Sequence, residues 1–351
     1  PVKRWVTVLH TVSQTMFALL YIVPLSPLSR TVKTVVFILL LLLAHIVHNV
    51  INAPKINWFM SLVDDKKRGK FTANKEIVSL VGGMVVSYLL GLLIDYYSDI
   101  GEIRTAFILT GTGLFVLMIL HSLTLIFSKE KPIETQSVKS PKTELKELLK
   151  NKNIFKLIFV SALWNIANYA TVSFSGTYQT KELGFTTTFA SAIIIFGSFA
   201  RVIFSRPLGR FADKHSFANM LCICFAVEAV AFGINAFAVP ENGKVVYSVY
   251  YVLHCIGLAG INSSLINLIY DYVEKDMRTS ALALNQTVYG LSGFLITLLF
   301  SAILSVIQSN GNMLFGKLIY AQQLFSLFSA VVSLGLILYI LKVVKKIKKE
   351  C

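Results

Sequence analysis

Runs of about 20 apolar residues with few charges recur along the chain, and they constrain its fold more than any other feature. A helix of that length crosses the ~30 Å hydrocarbon layer of a membrane, and the ten-residue alternating segments of a membrane barrel do not occur in this sequence. The sequence therefore predicts an all-α integral membrane protein, a polytopic helical bundle with ten transmembrane helices. The predicted spans are residues 5–25, 31–53, 73–97, 104–127, 154–178, 185–205, 217–239, 244–272, 281–307 and 318–344.

Lysine and arginine are unevenly distributed among the hydrophilic segments that join these spans. Alternate segments carry most of them, and the Lys- and Arg-rich side of a membrane protein faces the cytoplasm. We therefore expect a multi-pass protein of the cell (cytoplasmic) membrane, with both ends of this chain cytoplasmic. The formal charge of +15 is then a signal of topology, and we expect the lipid bilayer, not nucleic acid, as a partner. The basic segments are 3–4, 66–75, 129–156, 201–214, 275–278 and 342–349.

One long hydrophilic segment, residues 129–153, divides the chain into parts with four and six spans. It carries two prolines and many charges, which is typical of a linker. We expect an N-terminal bundle over 1–128, a cytoplasmic linker over 129–153, a C-terminal bundle over 154–345 and a cytoplasmic tail over 346–351.

Two short loops at matched positions of these parts resemble each other. DDKKRGKFTANKE (64–76) and VEKDMRTSALALNQ (273–286) each place acidic, then basic, then small residues ahead of a span. Weak similarity of this kind is typical of a duplicated transporter half, so we expect two pseudo-repeated halves. If the halves are equal, two further spans are expected ahead of Pro1.

The sequence contains no pattern typical of an enzyme or a metal site. It has no phosphate-cradling P-loop, and its four cysteines lack the spacing of metal ligands. We therefore expect no catalytic residues, no cofactor and no metal. The predominance of Lys over Arg, with abundant Ile, Asn and Phe, indicates an AT-rich bacterial genome.

A polar stripe interrupts the second span. The sequence HIVHNVIN places its polar residues at i, i+3, i+4 and i+7, which puts them on one face of a helix. Such a stripe either joins helices by hydrogen bonds or contacts a substrate or a proton. We favour a functional role, and the residues are His45, His48, Asn49 and Asn52.

Polar residues also occur within the fifth and eighth spans, where packing and function are equally good explanations. The first group is Asn165, Asn168 and Tyr169, and the second is Asn262, Ser263 and Asn267. Glu228 lies in the middle of another span, and a carboxylate there is a candidate for proton coupling.

The loop RPLGRFADKHS (206–216) resembles the signature loop of the major facilitator superfamily, G-x-x-x-D-[R/K]-x-G-[R/K]-[R/K], in its second-half copy. Gly209, Asp213 and Lys214 match, whereas Ser216 stands in place of the second glycine and the basic pair is absent. DKKRGK (65–70) is similar to the family's acidic-then-Arg-Gly loop, and the residues before Trp5 would be the tail of the first-half signature loop.

The resemblance covers the whole chain and implies a fold of twelve helices, of which the third to the twelfth are present. In that fold the fourth, seventh and tenth helices line a central cavity, so the polar stripe and the two other polar groups would face it. The signature aspartate would close the cytoplasmic side at a helix that we expect to open at Thr72. The residues expected to act in this gate are Arg68, Gly209, Asp213, Lys214, Asp271 and Arg278.

The function that these features indicate is secondary active transport of a small solute by alternating access, coupled to H⁺ or Na⁺. We expect a monomer. One alternative is the membrane subunit of an ATP-driven permease, which would dock a partner ATPase through a helix near 144–150. Another is a truncated membrane protein that does not transport.

Overall fold

A computed structural model describes residues 2–130, 147–314 and 316–347. Most of the predicted linker and the end of the predicted tail lie outside these ranges, so the division at the linker stays a prediction. Each of the ten predicted spans coincides with one long helix. The helices are α1 Val2–Leu19, α2 Arg30–Ser61, α3 Arg68–Asp99, α4 Ile103–Phe127, α5 Lys152–Val172, α6 Thr187–His215, α7 Phe217–Asn235, α8 Gly243–Tyr272, α9 Arg278–Ser309 and α10 Ala321–Lys342.

Short elements complete the described part of the chain. Helix α5 continues through a further turn, Ser175–Thr177, into a π-helical turn, Tyr178–Glu182. Two-residue strands β1, Met313–Leu314, and β2, Lys317–Leu318, pair antiparallel between α9 and α10. The 3₁₀ turns are Val23–Leu25, Asp65–Lys67, Lys275–Met277 and Val344–Lys346.

The predicted helical membrane bundle is confirmed, since nine helices in the described ranges are long and apolar enough to cross a membrane. Helix α1 is not among them because polar side chains interrupt it. Some of these side chains are buried and bonded to neighbouring helices. Ser13 donates to the backbone O of Ala44 at 2.9 Å, and Thr11 lies 2.8 Å from the hydroxyl of Ser122. Within a membrane such bonds hold helices together.

The described residues fall into two compact units: those within 1–64 and 81–137, and those within 65–80 and 138–351. In the first unit α1 packs against both α2 and α4. Its buried core includes Val6, Trp58 and Leu125, and the indole N–H of Trp58 donates to the backbone O of Lys129 at 3.0 Å.

The second unit contains the beginning of α3 and helices α5 to α10. Helix α8 packs on α6 and α7, whereas α5 packs on α9 and α10. Phe300 and Phe325 form the centre of a buried cluster between α9 and α10, with ring centroids 4.5 Å apart.

The two loops that resemble each other in sequence also fold alike. In each, a 3₁₀ turn leads directly into a helix of 32 residues that begins with arginine, Arg68 in α3 and Arg278 in α9. Both loops have the same order of residues, charged and then small, ahead of an apolar segment. This shared pattern explains why each helix begins at the arginine that follows its 3₁₀ turn.

Close contact between two glycines brings the start of α3 against α6. A Cβ added at Gly209 would lie 2.6 Å from the backbone O of Gly69 and 2.8 Å from the Cβ of Ala73. Both distances are shorter than van der Waals contact allows, so only glycine permits the two backbones to approach this closely.

We predict that Gly209→Ala destabilises the protein, because the added methyl group cannot fit without separating α3 from α6. Overpacking of this kind typically costs about 1–3 kcal/mol. The measurement is the thermal unfolding midpoint of the purified protein in detergent. Gly113→Ala is the matched control, since a Cβ there meets no atom within 4 Å, and an equal midpoint for the two variants would contradict the prediction.

Candidate functional site

The predicted polar stripe of α2 lies partly on the surface and partly against α1. His45 and Asn49 are exposed, whereas His48 and Asn52 are partly buried. The side-chain amide of Asn49 donates to the backbone O of His45 at 2.9 Å. The ring of His48 lies near Phe17 of α1, with 6.5 Å between the centroids. The ring of His45, although exposed, lies edge-on to Phe17 as well, with 5.0 Å between the centroids. The stripe therefore combines two exposed side chains with two that are partly buried, and both of its histidines contact α1.

Three histidines from three helices meet in that unit. His10 of α1 is only 3% exposed, and its ring centroid lies 4.6 Å from that of His121 on α4 and 6.3 Å from that of His48 on α2. The Nδ1 atoms of His10 and His48 are buried and have no hydrogen-bond partner among the described residues. No group of His, Cys, Asp and Glu in those residues could hold a metal ion. Sequence reasoning missed His10 and His121 because each is a single histidine in its own helix.

The polar residues of α5 lie beside α9. Asn165 is 1% exposed and donates to the backbone O of Tyr289, Asn168 is partly buried, and Tyr169 is 41% exposed. A cleft of about 370 Å³ lies between the two helices. Its walls are formed by Asn165, Tyr169, Ser173, Tyr289, Gly290, Gly293, Phe294 and Thr297.

The polar residues of α8 are divided between surface and interior. Asn262 is exposed, but Ser263 and Asn267 are buried. The amide of Asn267 donates to the backbone O of Ser263 at 2.9 Å and to the hydroxyl of Thr72 on α3 at 3.4 Å. This face of α8 therefore packs on the beginning of α3.

Asp213 binds the first turn of α3. Its carboxylate accepts hydrogen bonds from the backbone N–H groups of Gly69 at 2.7 Å and Lys70 at 2.8 Å. These N–H groups have no partner within the helix and carry the positive end of its dipole. The expectation that this helix opens at Thr72 was wrong: it opens four residues earlier, at Arg68, where the carboxylate caps it. Lys214 is exposed.

Two arginines converge on Tyr270 at the end of α8. Arg68 is 7% exposed, forms an ion pair with Asp271 at 2.8 Å and lies 5.5 Å from the centroid of the Tyr270 ring. Arg278 lies 5.0 Å from the same centroid and donates to the backbone O of Tyr270 at 2.8 Å. The ring is thus a shared cation–π partner for the first residues of α3 and α9.

Two further side-chain pairs join α3 to α6 and escaped sequence reasoning. The guanidinium of Arg201 donates to Glu76 at 2.6 Å, and that of Arg206 donates to the side-chain O of Asn74 at 3.0 Å. The partners are separated by 125 and 132 residues along the chain, so no local pattern could indicate them.

Glu228 lies in the interior of the second unit. Its side chain is fully buried, and its carboxylate lies 2.8 Å from Nδ1 of His254 on α8. Its other oxygen has no hydrogen-bond partner among the described residues. Gly257 provides the necessary space, since a Cβ there would lie 2.8 Å from the carboxyl carbon. The carboxyl group and the imidazole are therefore hydrogen-bonded to each other in the interior of the unit.

The chain is similar to membrane transporters of known structure. The family model for the Major Facilitator Superfamily matches residues 3–297. Superposition on the fucose:proton symporter FucP of E. coli gives a TM-score of 0.68 at 11% identity, over 95% of this chain and 83% of that one. A bacterial homologue of the iron transporter ferroportin, in an outward-facing state, gives 0.66 at 16% identity, over 95% and 82%.

A third similar structure is the nucleoside transporter NupG, in a mutant form, with a TM-score of 0.61 at 17% identity over 96% of this chain and 83% of that one. Comparison with curated protein sequences gives no match. At these identities the structural matches establish the fold.

We predict that His254→Leu destabilises the protein by about 3–5 kcal/mol, because it leaves the carboxyl of Glu228 buried without its partner. Replacing both residues by leucine should restore much of that loss, since an apolar pair needs no compensation. Thermal unfolding in detergent measures both effects, with the exposed Glu241→Gln as control. A His254→Leu variant as stable as this control would contradict the prediction.

Proposed function

Because the chain belongs to the Major Facilitator Superfamily, we propose that it carries a small solute across the cytoplasmic membrane by alternating access, with free energy from a gradient of H⁺ or Na⁺. It is a multi-pass membrane protein and a secondary transporter, not an enzyme. The observation that carries the proposal is the set of contacts by which Asp213 and Asp271 hold the first turn of α3. Alternating access needs contacts of this kind, which form in one state and break in the other.

The strength of these contacts suits a gate. A carboxylate at a helix N-terminus contributes about 0.5–2 kcal/mol, which shifts a two-state equilibrium by between about twofold and roughly thirty-fold. The Arg68–Asp271 ion pair adds to this preference, and its partners are almost buried. The gate is therefore strong enough to favour the closed state and weak enough to open when substrate binds.

The surrounding charges support a cytoplasmic position for this gate. Lys66 and Lys67 precede α3, and Lys70 lies in its first turn. Arg206 and Arg210 lie near the end of α6, which is helical as far as His215 although the sequence indicated a loop there, and Arg206 donates to Asn74 of α3. By the excess of basic residues on the inner side of membrane proteins, this end of the helices faces the cytoplasm. Both ends of the chain then lie on that side.

In the first unit we assign substrate contact to the stripe, His45, His48, Asn49 and Asn52, and in the second unit to the residues of the α5–α9 cleft. Asn262 is exposed and belongs to the same group, whereas Ser263 and Asn267 support the start of α3. For proton coupling, the buried Glu228–His254 pair is the candidate, because a buried carboxylate in a membrane helix commonly marks a proton site.

Gradient-driven accumulation tests the transport proposal. Vesicles that contain the purified protein, with imposed proton and sodium gradients and no ATP, should accumulate one class from a panel of labelled monosaccharides, nucleosides, amino acids and dipeptides. A protonophore should abolish H⁺-coupled accumulation, and a sodium ionophore Na⁺-coupled accumulation. Protein-free vesicles are the control. Accumulation of no class, or accumulation that requires ATP, would contradict the proposal.

The gate is tested without knowledge of the substrate. We predict that Asp213→Asn weakens the cap on α3 and shifts the equilibrium toward the state in which α3 and α6 are separated, by about twofold to thirty-fold. Spin labels at the exposed positions Lys67 and Arg210 report the distance between these helices. Glu241→Gln, remote from the gate in sequence, is the control. An unchanged distance distribution in Asp213→Asn would show that Asp213 does not hold the gate.

A further inference from the structure

The cleft between α5 and α9 is open at Gly290 of α9. Gly293, three residues further along the same face of the helix, instead lies against the side chain of Asn165. A side chain added at Gly290 would meet no atom within 4 Å, so this position borders open space. The volume of about 370 Å³ falls within the range of small-molecule sites.

A buried amide at the wall of the cleft retains an unused acceptor. Asn165 donates through Nδ2 to the backbone O of Tyr289, but its Oδ1 is buried and has no hydrogen-bond partner among the described residues. Buried polar atoms are nearly always bonded, and those that are not require an explanation. A hydroxyl or N–H group of a bound molecule would provide the missing donor.

The remaining walls offer hydroxyl groups and aromatic rings. The hydroxyls of Ser173 and Thr297 lie 3.0 Å apart, and each can still bond to a ligand. Tyr169, Tyr289 and Phe294 supply flat apolar surfaces. None of the residues that form the cleft is charged, so an ionic group would enter a membrane protein there without a counter-ion, which is costly.

We propose that this cleft binds an uncharged solute whose ring carries several hydroxyl groups, a chemistry that monosaccharides and nucleosides share. The ring packs on the aromatic side chains, its hydroxyls bond to Asn165, Ser173 and Thr297, and Gly290 leaves room for it. This inference rests on the proposed function, because it names the substrate class of the transporter. Because no charged residue lines the cleft, the cleft is also the place where charged solutes are rejected.

Filling the cleft tests the proposal. Gly290→Leu places a side chain in the open space, and Gly335→Leu on α10 is the matched control, since a Cβ there also meets no atom within 4 Å. Equilibrium binding of labelled glucose, galactose, uridine and adenosine to the purified full chain is measured. Glucose 6-phosphate and glutamate are the charged comparators. We expect at least one uncharged probe to bind, Gly290→Leu to weaken it about tenfold or more, and Gly335→Leu to leave it unchanged.

A second variant separates loss of binding from loss of folding. Thr297→Val keeps the shape of the side chain but removes its hydroxyl, and it should weaken the same probe several-fold while the unfolding midpoint stays close to that of the unchanged chain. Binding of the charged comparators alone, or equal binding in Gly290→Leu and Gly335→Leu, would overturn the proposal.

The outcomes distinguish this inference from the proposed function. Gradient-driven accumulation of a charged solute that Gly290→Leu does not affect would retain the transporter and reject the cleft as its site. Binding that Gly290→Leu abolishes, in vesicles that accumulate nothing, would retain the cleft and reject transport.

Discussion

The structure around the start of α3 depends on one electrostatic interaction, the hydrogen bonding of the Asp213 carboxylate to two backbone N–H groups. Gly69 and Lys70 supply these groups, which water would otherwise have to satisfy. With the carboxylate in place, the helix can begin at Arg68, and Arg68 is then in position to reach Asp271 and the ring of Tyr270. The later contacts follow from where the helix begins.

Because it is buried, the ion pair between Arg68 and Asp271 affects stability more than an ion pair on the surface would. Exposed salt bridges contribute little because water competes for both partners. Arg68 and Asp271 have little exposed surface, so loss of either partner would leave a charge with poor solvation. The same reasoning applies to Glu228 and His254, which are even less exposed. In both places the paired state is stable and the unpaired state is costly. The helices that carry these pairs are therefore expected to move between distinct positions rather than through a continuous range.

The sequence predicted the elements of this fold well because a bilayer imposes a simple rule on it. Apolar runs of sufficient length must form helices, and each predicted span coincides with one. The helix ends were less predictable, since capping and packing outside the apolar region determine them. Helix α2 continues past Pro54 to Ser61, and α3 begins at Arg68 rather than at Thr72.

The candidate site was harder to predict for a different reason. A stripe at helical spacing indicates one face of one helix, so His45, His48 and Asn49 could be found from the sequence. His10 and His254 each depend on a partner from another helix, which a pattern within one helix does not reveal. A regular recurrence of polar residues in α1, at Thr7, His10 and Ser13, was the one available signal for the first of them.

The approach of Gly69 to Gly209 also restricts how this chain can change over generations. Each position excludes a methyl group because the other backbone occupies the space, so no single-step substitution at either site preserves the approach. A compensating change at the partner is not available either, since glycine has nothing left to remove. A substitution at this crossing is therefore opposed from both sides.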